Sequence, residues 1–295
     1  MRVRLLALVS AVALFSLGAT PAQASSEGHG YLALGDSVAF GFNPLVDPRN
    51  ANNFTGYPEI VAQRLNIEDV NAACSGEATG GFIDAHGLDN VCRFYRANWP
   101  LHTSYTGTQL SFAVNYLKAN PRTRLVTLNL DANDFFRLTS GPSTDFWPPS
   151  GCYTPDFVAY FSSTGCAVQN LEKIFAAIRG TGYSGLIVAM TYYALDYSDP
   201  AGLFVSGLLN GAMETAAAHS DRVLVASGFN AWKQQSLAVG GNSCTAGLRI
   251  PTGGGTCDIH PSPAGRDLLA GAIVDTIAAS CPAHSATGCL NRNRG

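Results

Sequence analysis

Ser37 is the first residue whose position could support chemistry. It follows the apolar run Tyr31–Leu34, which predicts a buried strand, and Gly35 interrupts that run two residues before it. A serine just past the carboxyl end of a strand lies where an open α/β sheet places its ligand site. Its hydroxyl is therefore a candidate nucleophile, although an ordinary serine in a strand-to-loop turn would give the same pattern.

A hydroxyl nucleophile needs a base, and the base needs a group that orients it. Of the six histidines, His260 is the best placed, in Cys257–Asp258–Ile259–His260–Pro261. This segment is predicted to be a loop between the fifth strand and the last helix, so it belongs to the same rim of the sheet as Ser37. A surface histidine with no catalytic role is the alternative.

Three groups could stabilise the negative charge that ester hydrolysis puts on the carbonyl oxygen. Each fixed donor at such a site is worth roughly 3–4 kcal/mol. Gly76, after the second predicted strand, can offer its backbone amide because no Cβ blocks the approach. Asn133, after the third strand, can offer its side-chain NH2. The backbone amide of Ser37 is the third candidate.

The rest of the chain predicts the sheet that brings these loops together. Apolar runs alternate with helical patterns, which favours a mostly parallel five-stranded sheet with helices on both faces. With strand order 2-1-3-4-5, the switch point lies between the loops Gly35–Gly41 and Asp131–Asp134. The predicted strands are Tyr31–Leu34, Ile67–Ala73, Arg124–Leu130, Gly185–Thr191 and Arg222–Ala226.

Helices are predicted between these strands, two of them with recognisable caps. Thr108 can cap the helix that ends near Asn120, and Ser262 followed by Pro263 can cap the last helix. The other helices are predicted at Tyr57–Leu65, around Val168–Ile178 and at Leu203–His219. Irregular structure is expected at 82–105, in an aromatic loop at 135–164, in a glycine-rich loop at 240–255 and after Cys281.

Residues 1–24 are expected to be a secretory signal peptide. Arg2 and Arg4 precede the apolar stretch Leu5–Ala19, and Ala22–Gln23–Ala24 has the small-x-small form of a cleavage site. A retained membrane anchor is the alternative, which the short apolar stretch argues against. We therefore expect a secreted, extracellular protein in which residues 25–295 form one domain.

The length suits one large domain or two small ones, and the composition gives no indication of a nucleic-acid partner. Hydrophobic residues make up 46 % of the 295 positions, enough for a sizeable core. The formal net charge is −3, whereas nucleic-acid-binding domains are basic. We expect a monomer.

The eight cysteines indicate disulfide bonds, because their number is even and export is expected. They fall into four pairs of near neighbours along the chain, and we hypothesise that these pairs are bonded, each stabilising the fold by roughly 2–3 kcal/mol. A zinc site is the alternative, but no C-x-x-C motif is present. The pairs are Cys74 with Cys92, Cys152 with Cys166, Cys244 with Cys257, and Cys281 with Cys289.

Four short blocks taken in order resemble the SGNH (GDSL-type) hydrolases. The blocks are Gly35–Asp36–Ser37, the segment ending in Gly76, Asn133–Asp134, and His260–Pro261. The resemblance implies a three-layer, flavodoxin-like α/β/α fold and ester hydrolysis through an acyl-serine intermediate. It also implies that Ser37 is the nucleophile, that His260 is the base, and that the oxyanion donors are Ser37, Gly76 and Asn133. The cysteine placement resembles that of secreted actinobacterial lipases and esterases of this family.

Two positions depart from the family pattern. Asp131 stands where the third block usually has glycine, and we expect its carboxylate to point away from the oxyanion site or to be paired. Cys257 stands where an aspartate usually precedes the histidine by three residues. Either Asp258 orients His260 or a backbone carbonyl does so, and we favour Asp258. Asp36 and Asp134 are interpreted as turn-forming or loop-tethering carboxylates.

The resulting hypothesis is a secreted serine esterase or lipase that needs no metal or organic cofactor. Aromatic residues at 94–105 and 135–164 could line a groove for an apolar acyl group, and brief contact with a lipid surface is possible. A metal-dependent phosphoesterase is one alternative, with Asp36, Asn133, Asp134 and His260 as metal ligands. A secreted binding protein with a decayed site is the other, supported by Asp131 and Cys257.

Overall fold

Five parallel strands form the central sheet of the computed structural model, which describes residues 30–140, 150–281 and 285–292. Their order is β2-β1-β3-β4-β5, which is the order considered in the sequence analysis. Each strand is shorter than, or similar in length to, the apolar run that predicted it. The strands are β1 Tyr31–Gly35, β2 Asp69–Asn71, β3 Leu125–Asn129, β4 Leu186–Met190 and β5 Val223–Ala226.

Twelve α-helices lie in the described part of the chain, and helices cover both faces of the sheet. One group packs around α11 and includes α2, α10 and α12, and the other packs around α8 and includes α5 and α9. The helices are α1 Ser37–Phe40, α2 Tyr57–Leu65, α3 Thr79–Ile83, α4 Cys92–Asn98, α5 Gln109–Ala119, α6 Ala132–Thr139, α7 Phe157–Tyr160, α8 Cys166–Arg179, α9 Pro200–Ala218, α10 Gly228–Leu237, α11 Pro263–Ser280 and α12 Ala286–Arg292. A short 3₁₀ helix spans Ala51–Asn53.

The continuous apolar character of the strands follows from coverage on both faces. Leu32, Leu34, Leu125 and Ile187 have no exposed surface, because helices pack on either side of the sheet. The two predicted caps are present. Thr108 accepts a hydrogen bond from Ser111 N at the start of α5, and Ser262 accepts one from Gly265 N at the start of α11.

Several segments that were expected to be irregular contain regular structure. Helix α4 lies within 82–105, α6 and α7 lie at the two ends of the aromatic loop, and α12 lies in the tail. Helix α10 follows β5, in a stretch for which the sequence analysis predicted no element. The glycine-rich loop contains strand β6, Arg249–Gly253, which pairs antiparallel with β7, Thr256–Pro261. His260 therefore lies on a strand of a two-stranded hairpin and not in a loop. These elements are short, so apolar periodicity does not distinguish them from loops.

Two of the predicted segments fall outside the described residues. These are the signal peptide at 1–24 and the middle of the aromatic loop at 141–149. No helix in the described ranges has the length and apolar character needed to cross a membrane.

All four hypothesised disulfides are present, and they account for every cysteine of the chain. Each one ties an irregular segment to a regular element. Cys74–Cys92 holds the loop after β2 against the start of α4, and Cys244–Cys257 holds the segment before β6 against β7. The other two bridges are Cys152–Cys166, at the start of α8, and Cys281–Cys289, between α11 and α12.

Candidate active site

Ser37 is the first residue of α1, in a sharp turn from strand to helix. The turn requires glycine before it, since Gly35 has φ +136° and a Cβ there would lie 2.2 Å from the carbonyl oxygen of Asn129. Asp36 then caps α1 by accepting a hydrogen bond from Val38 N at 2.9 Å. The serine is thereby placed at the carboxyl edge of the sheet, on a rigid support.

The hydroxyl of Ser37 lies 2.8 Å from Nε2 of His260. On the other side of the ring, Nδ1 lies 2.5 Å from Oδ1 of Asp258. A carboxylate at Nδ1 fixes the proton there, which leaves Nε2 as the acceptor for the serine hydroxyl. The structure thus brings together three of the residues that the sequence predicts for the site, with a side chain rather than a backbone carbonyl at Nδ1.

Asp258 is suited to interact with a charged imidazole. Its side chain is 25 % exposed, and Oδ1 also accepts a hydrogen bond from the backbone N–H of His260 at 3.0 Å. Burial opposes ionisation, but the hydrogen bonds from the His260 ring and backbone outweigh it and hold the pKa of Asp258 below its usual range.

Strand β7, which carries these two residues, is held by side chains that the sequence analysis did not identify. Arg249 donates to the carbonyl oxygens of Asp258 and Cys257 at 2.9 and 2.8 Å, and the hydroxyl of Tyr193 donates to that of Ile259 at 2.8 Å. Tyr193 follows β4 by three residues, so its place on the carboxyl rim of the sheet was a usable signal. Arg249 had no comparable signal.

Asn133 lies in the first turn of α6, and both ends of its amide are bonded. Nδ2 donates to Oδ2 of Asp36 at 3.2 Å, and Oδ1 accepts from Nδ2 of Asn90 at 2.9 Å. One N–H of the amide is left for a ligand.

Gly76 is connected to the same network through its carbonyl oxygen, which accepts from the backbone N–H groups of Asn90 and Val91 at 3.3 and 3.2 Å. Its φ is +84°, and a Cβ there would lie 2.1 Å from the Val91 side chain, so only glycine fits. A chain of contacts therefore joins Asp36, beside Ser37, to Asn133, Asn90 and Gly76.

Asp36 does more than form the turn. Besides capping α1 it accepts a hydrogen bond from the hydroxyl of Tyr192 at 2.5 Å, a residue that the sequence analysis missed. Burial raises the pKa of Asp36 to about 6, although its hydrogen bonds with Tyr192 and Val38 oppose the shift.

Asp134 ties three elements together, in keeping with the loop-tethering interpretation. It accepts from the backbone N–H and hydroxyl of Thr79 at 2.9 and 2.7 Å, and from the hydroxyl of Tyr160 at 2.6 Å. Burial raises the pKa of Asp134 to about 6.

Asp131 is buried, and its carboxylate is not paired with any described residue, so of the two expected alternatives pairing is ruled out. It has no exposed surface, and neither carboxylate oxygen has a hydrogen-bond partner among the described residues. Its φ of +110° explains why glycine would be favoured there. Burial, and after it the nearby carboxyls of Asp134 and Asp36, raise the pKa of Asp131 well above the usual range.

The side chains named as alternative metal ligands are engaged with protein groups. Both ring nitrogens of His260 have partners, and so do the carboxylates of Asp36 and Asp134. Within the described residues, the acidic, histidine and cysteine side chains that converge closely enough to share an ion are Cys74, Glu77 and Cys92. Those two cysteines are bonded to each other, so they offer no thiolate.

Comparison with models of known protein families shows which family the chain belongs to. The model of the GDSL-like lipase/acylhydrolase family matches residues 33–268, which is most of the chain. The protein belongs to the GDSL-like lipase/acylhydrolase family. Membership in this family supports acyl ester hydrolysis, and the matched range contains Ser37, Gly76, Asn133 and His260.

Solved structures share the fold of this GDSL-like protein at low sequence identity. LAE5, described as an α/β hydrolase enzyme from the metagenome of Lake Arreo in Spain, is 16 % identical, with TM-score 0.51, over 90 % of this chain and 97 % of LAE5. Axe2, an acetylxylan esterase from Geobacillus stearothermophilus, is 15 % identical, with TM-score 0.50, over 85 % of this chain and 94 % of Axe2. At these identities the likeness is one of fold. Comparison with curated protein sequences gave no match.

Proposed function

We propose that the protein is a secreted serine esterase or lipase that cleaves carboxylic esters through an acyl-serine intermediate. The observation that carries the proposal is the line of contacts from Ser37 Oγ to His260 Nε2, and from His260 Nδ1 to Asp258. This is the arrangement that activates a hydroxyl nucleophile. Membership in the GDSL-like family gives independent support for ester hydrolysis.

In the proposed mechanism Ser37 Oγ attacks the ester carbonyl carbon while His260 Nε2 accepts the hydroxyl proton. Asp258 stabilises the imidazolium that forms. The tetrahedral intermediate then collapses, and His260 returns the proton to the leaving alcohol. Water attacks the acyl-serine by the same steps, with His260 again as base, and releases the acid and the free serine.

The charge on the carbonyl oxygen would be stabilised by the amides of Ser37 and Gly76 and by the side chain of Asn133. The second N–H of Asn133 is available for this purpose because the first is held by Asp36. The strand–turn–helix geometry at Ser37 and the fixed carbonyl of Gly76 support the same assignment, since both backbones are already held in place.

A row of aromatic rings supports an apolar acyl group in the substrate. The ring of Phe42 packs against that of His260 with centroids 4.9 Å apart. The ring contacts continue through Tyr95 and Trp99 to Phe94, which is 61 % exposed. Part of the aromatic segment expected to line an acyl groove thus extends from the site to the surface, where contact with lipid would be favourable.

Secretion belongs to the proposal as well. The four disulfides are typical of an oxidising compartment, and they support a signal peptide at 1–24 followed by a single domain at 25–295. We propose a monomer with a small-molecule or lipid ester as substrate and with no cofactor.

The test is hydrolysis of nitrophenyl esters, from acetate to palmitate, by the wild type and by Ser37→Ala, with and without a chelator. We expect the wild type to hydrolyse these esters at the same rate with and without the chelator. In Ser37→Ala the rate of hydrolysis should fall by at least about 10³-fold. A phosphonate reagent should label Ser37 in the wild type only. Activity that depends on metal and survives in Ser37→Ala would indicate the phosphoesterase, and absence of both turnover and labelling would indicate a binding protein.

A further inference from the structure

We propose that Asn90 is a positioning residue that sets the orientation of the Asn133 amide in the oxyanion site. The inference rests on the proposed function, and Asn90 is not part of any of the four sequence blocks. Its Nδ2 donates to Oδ1 of Asn133 at 2.9 Å, from a position 43 residues away along the chain. Asn133 is 6 % exposed, so water has little access to compete for that oxygen.

The need for such a residue comes from the shape of an asparagine side chain. Its amide can rotate by half a turn and occupy nearly the same space, but donor and acceptor then exchange places. In the observed orientation Oδ1 faces Asn90 and Nδ2 faces Asp36. In the reversed orientation Oδ1 would face the carboxylate of Asp36 and the negative oxygen of the intermediate, and both contacts would be repulsive.

Asn90 and Asp36 therefore select the same orientation from opposite sides of the amide. Asp36 attracts Nδ2 by accepting a hydrogen bond at 3.2 Å, and Asn90 attracts Oδ1 by donating the shorter of the two bonds. Removing Asn90 would leave the amide held only by the longer contact, and a larger share of molecules would present the wrong atom to the substrate.

The segment that carries Asn90 is held firmly beside a second oxyanion donor. The backbone N–H of Asn90 donates to the carbonyl oxygen of Gly76 at 3.3 Å. The Cys74–Cys92 bridge joins positions two residues before Gly76 and two residues after Asn90. One clamped segment thus contacts both residues that supply donors, Gly76 at its backbone carbonyl oxygen and Asn133 at its side-chain oxygen.

A double-mutant cycle tests this role. Asn90→Ala keeps the backbone bond to Gly76 and removes only the side-chain donor. We expect kcat for nitrophenyl butyrate to fall by about 10- to 100-fold, less than the about 10²- to 10³-fold expected for Asn133→Ala, with KM changed by less than about twofold. In the Asn133→Ala background, Asn90→Ala should have almost no further effect, because the group through which it acts is gone.

Two further variants separate positioning from folding. Asn90→Asp is nearly the same shape but cannot donate when ionised, and its carboxylate would attract Nδ2 of Asn133 and favour the reversed amide. It should lose at least as much kcat as Asn90→Ala. Asn98→Ala removes a side chain that donates to the carbonyl of Phe94 within α4. It is the matched control and should leave kcat nearly unchanged.

The inference is wrong if Asn90→Ala lowers kcat equally in the wild-type and Asn133→Ala backgrounds, or if Asn90→Asp retains wild-type kcat. It is equally wrong if the loss lies in KM alone. These outcomes leave the proposed function intact as long as Ser37→Ala is inactive and phosphonate labels Ser37. Full activity of Ser37→Ala would instead remove the proposed function, and with it the basis for a role of Asn90.

Discussion

The carboxyls on the two sides of Ser37 are of the same type but behave in opposite ways. Asp258, on the hairpin, is partly exposed and bonded to His260, and its pKa lies below the usual range. Asp36 and Asp134, at the opposite side of the site, are buried at the sheet edge, and burial raises the pKa of each to about 6. Asp131 lies near them, and its carboxylate oxygens have no hydrogen-bond partner among the described residues.

The difference shows how the surroundings divide the roles of these residues. A carboxylate next to an imidazole gains from being charged, so Asp258 is suited to stabilise a cation. A carboxylate enclosed by protein has no hydration shell to stabilise its charge. Ionising a buried carboxyl therefore lowers the stability of the folded state unless hydrogen bonds compensate. Hydrogen bonds from neighbouring groups offset part of that cost for Asp36 and Asp134, whereas no residue in the described ranges donates to the carboxylate of Asp131.

The largest effect on activity should come from Asp258, the partly exposed carboxyl of this comparison. Asp258→Asn removes the charge that stabilises the His260 imidazolium and favours the wrong tautomer. We expect kcat/KM for a nitrophenyl ester to fall by up to about 10⁴-fold, with little change in thermal unfolding.

The control is Asp267→Asn, which alters an exposed residue of α11 that forms an ion pair with Arg64 of α2. This variant should keep wild-type activity. If Asp258→Asn kept nearly all activity, the carboxylate would have no catalytic role. A backbone carbonyl would then be the better candidate for orienting His260.

The buried carboxyls of Asp36 and Asp134 should affect how the free energy of unfolding depends on pH. Between about pH 4 and about pH 6, the folded state keeps protons on Asp36 and Asp134 that the unfolded state releases. The free energy of unfolding should therefore fall as pH rises through this window, by on the order of 3 kcal/mol for each group. Urea unfolding at a series of pH values measures the slope.

Asp134→Asn should remove the contribution of that residue to the slope, and an unchanged slope in this variant would contradict the assignment. Asp258 has the opposite sign. Because its folded pKa is lowered, its contribution is present above the unfolded pKa and is lost as pH falls through the folded pKa. The contributions of Asp134 and Asp258 can therefore be distinguished by the sign of the stability change with pH and by the pH range in which it occurs.

The smallest effect should come from Asp131→Gly. Glycine accepts the positive φ and removes the buried carboxyl, so the free energy of unfolding at neutral pH should rise by about 1–3 kcal/mol. Thermal or urea unfolding measures the gain, and kcat should stay close to that of the wild type.

Asp131→Asn separates the two causes, since it removes the ionisable group and keeps a side chain at positive φ. A loss of stability or activity in Asp131→Gly would show instead that Asp131 has a partner or a function at the oxyanion side.

Local sequence patterns were sufficient to predict the strands and helix starts that position the loops of the candidate site. The apolar runs predicted the five strands, and Thr108 and Ser262 marked the helix starts that the structure contains. The observed strand order is the one that the sequence analysis used to locate the switch point. The cysteine spacing predicted all four disulfides. Short elements such as α4 and the β6–β7 hairpin were missed because their stability comes from a disulfide and from packing, which leave no periodic signal.

The amino-acid sequence by itself determined the sheet, the helix caps and the rim on which Ser37, Gly76, Asn133 and His260 gather. Apolar periodicity, capping and turn chemistry act between residues that are close along the chain. Only the tertiary structure decided that Asp258 meets Nδ1 and that Tyr192 and Asn90 complete the network. It also decided that the Asp131 carboxylate has no partner among the described residues. Those outcomes depend on the orientation of side chains brought together from distant loops, which hydrogen bonds and burial select after the chain has folded.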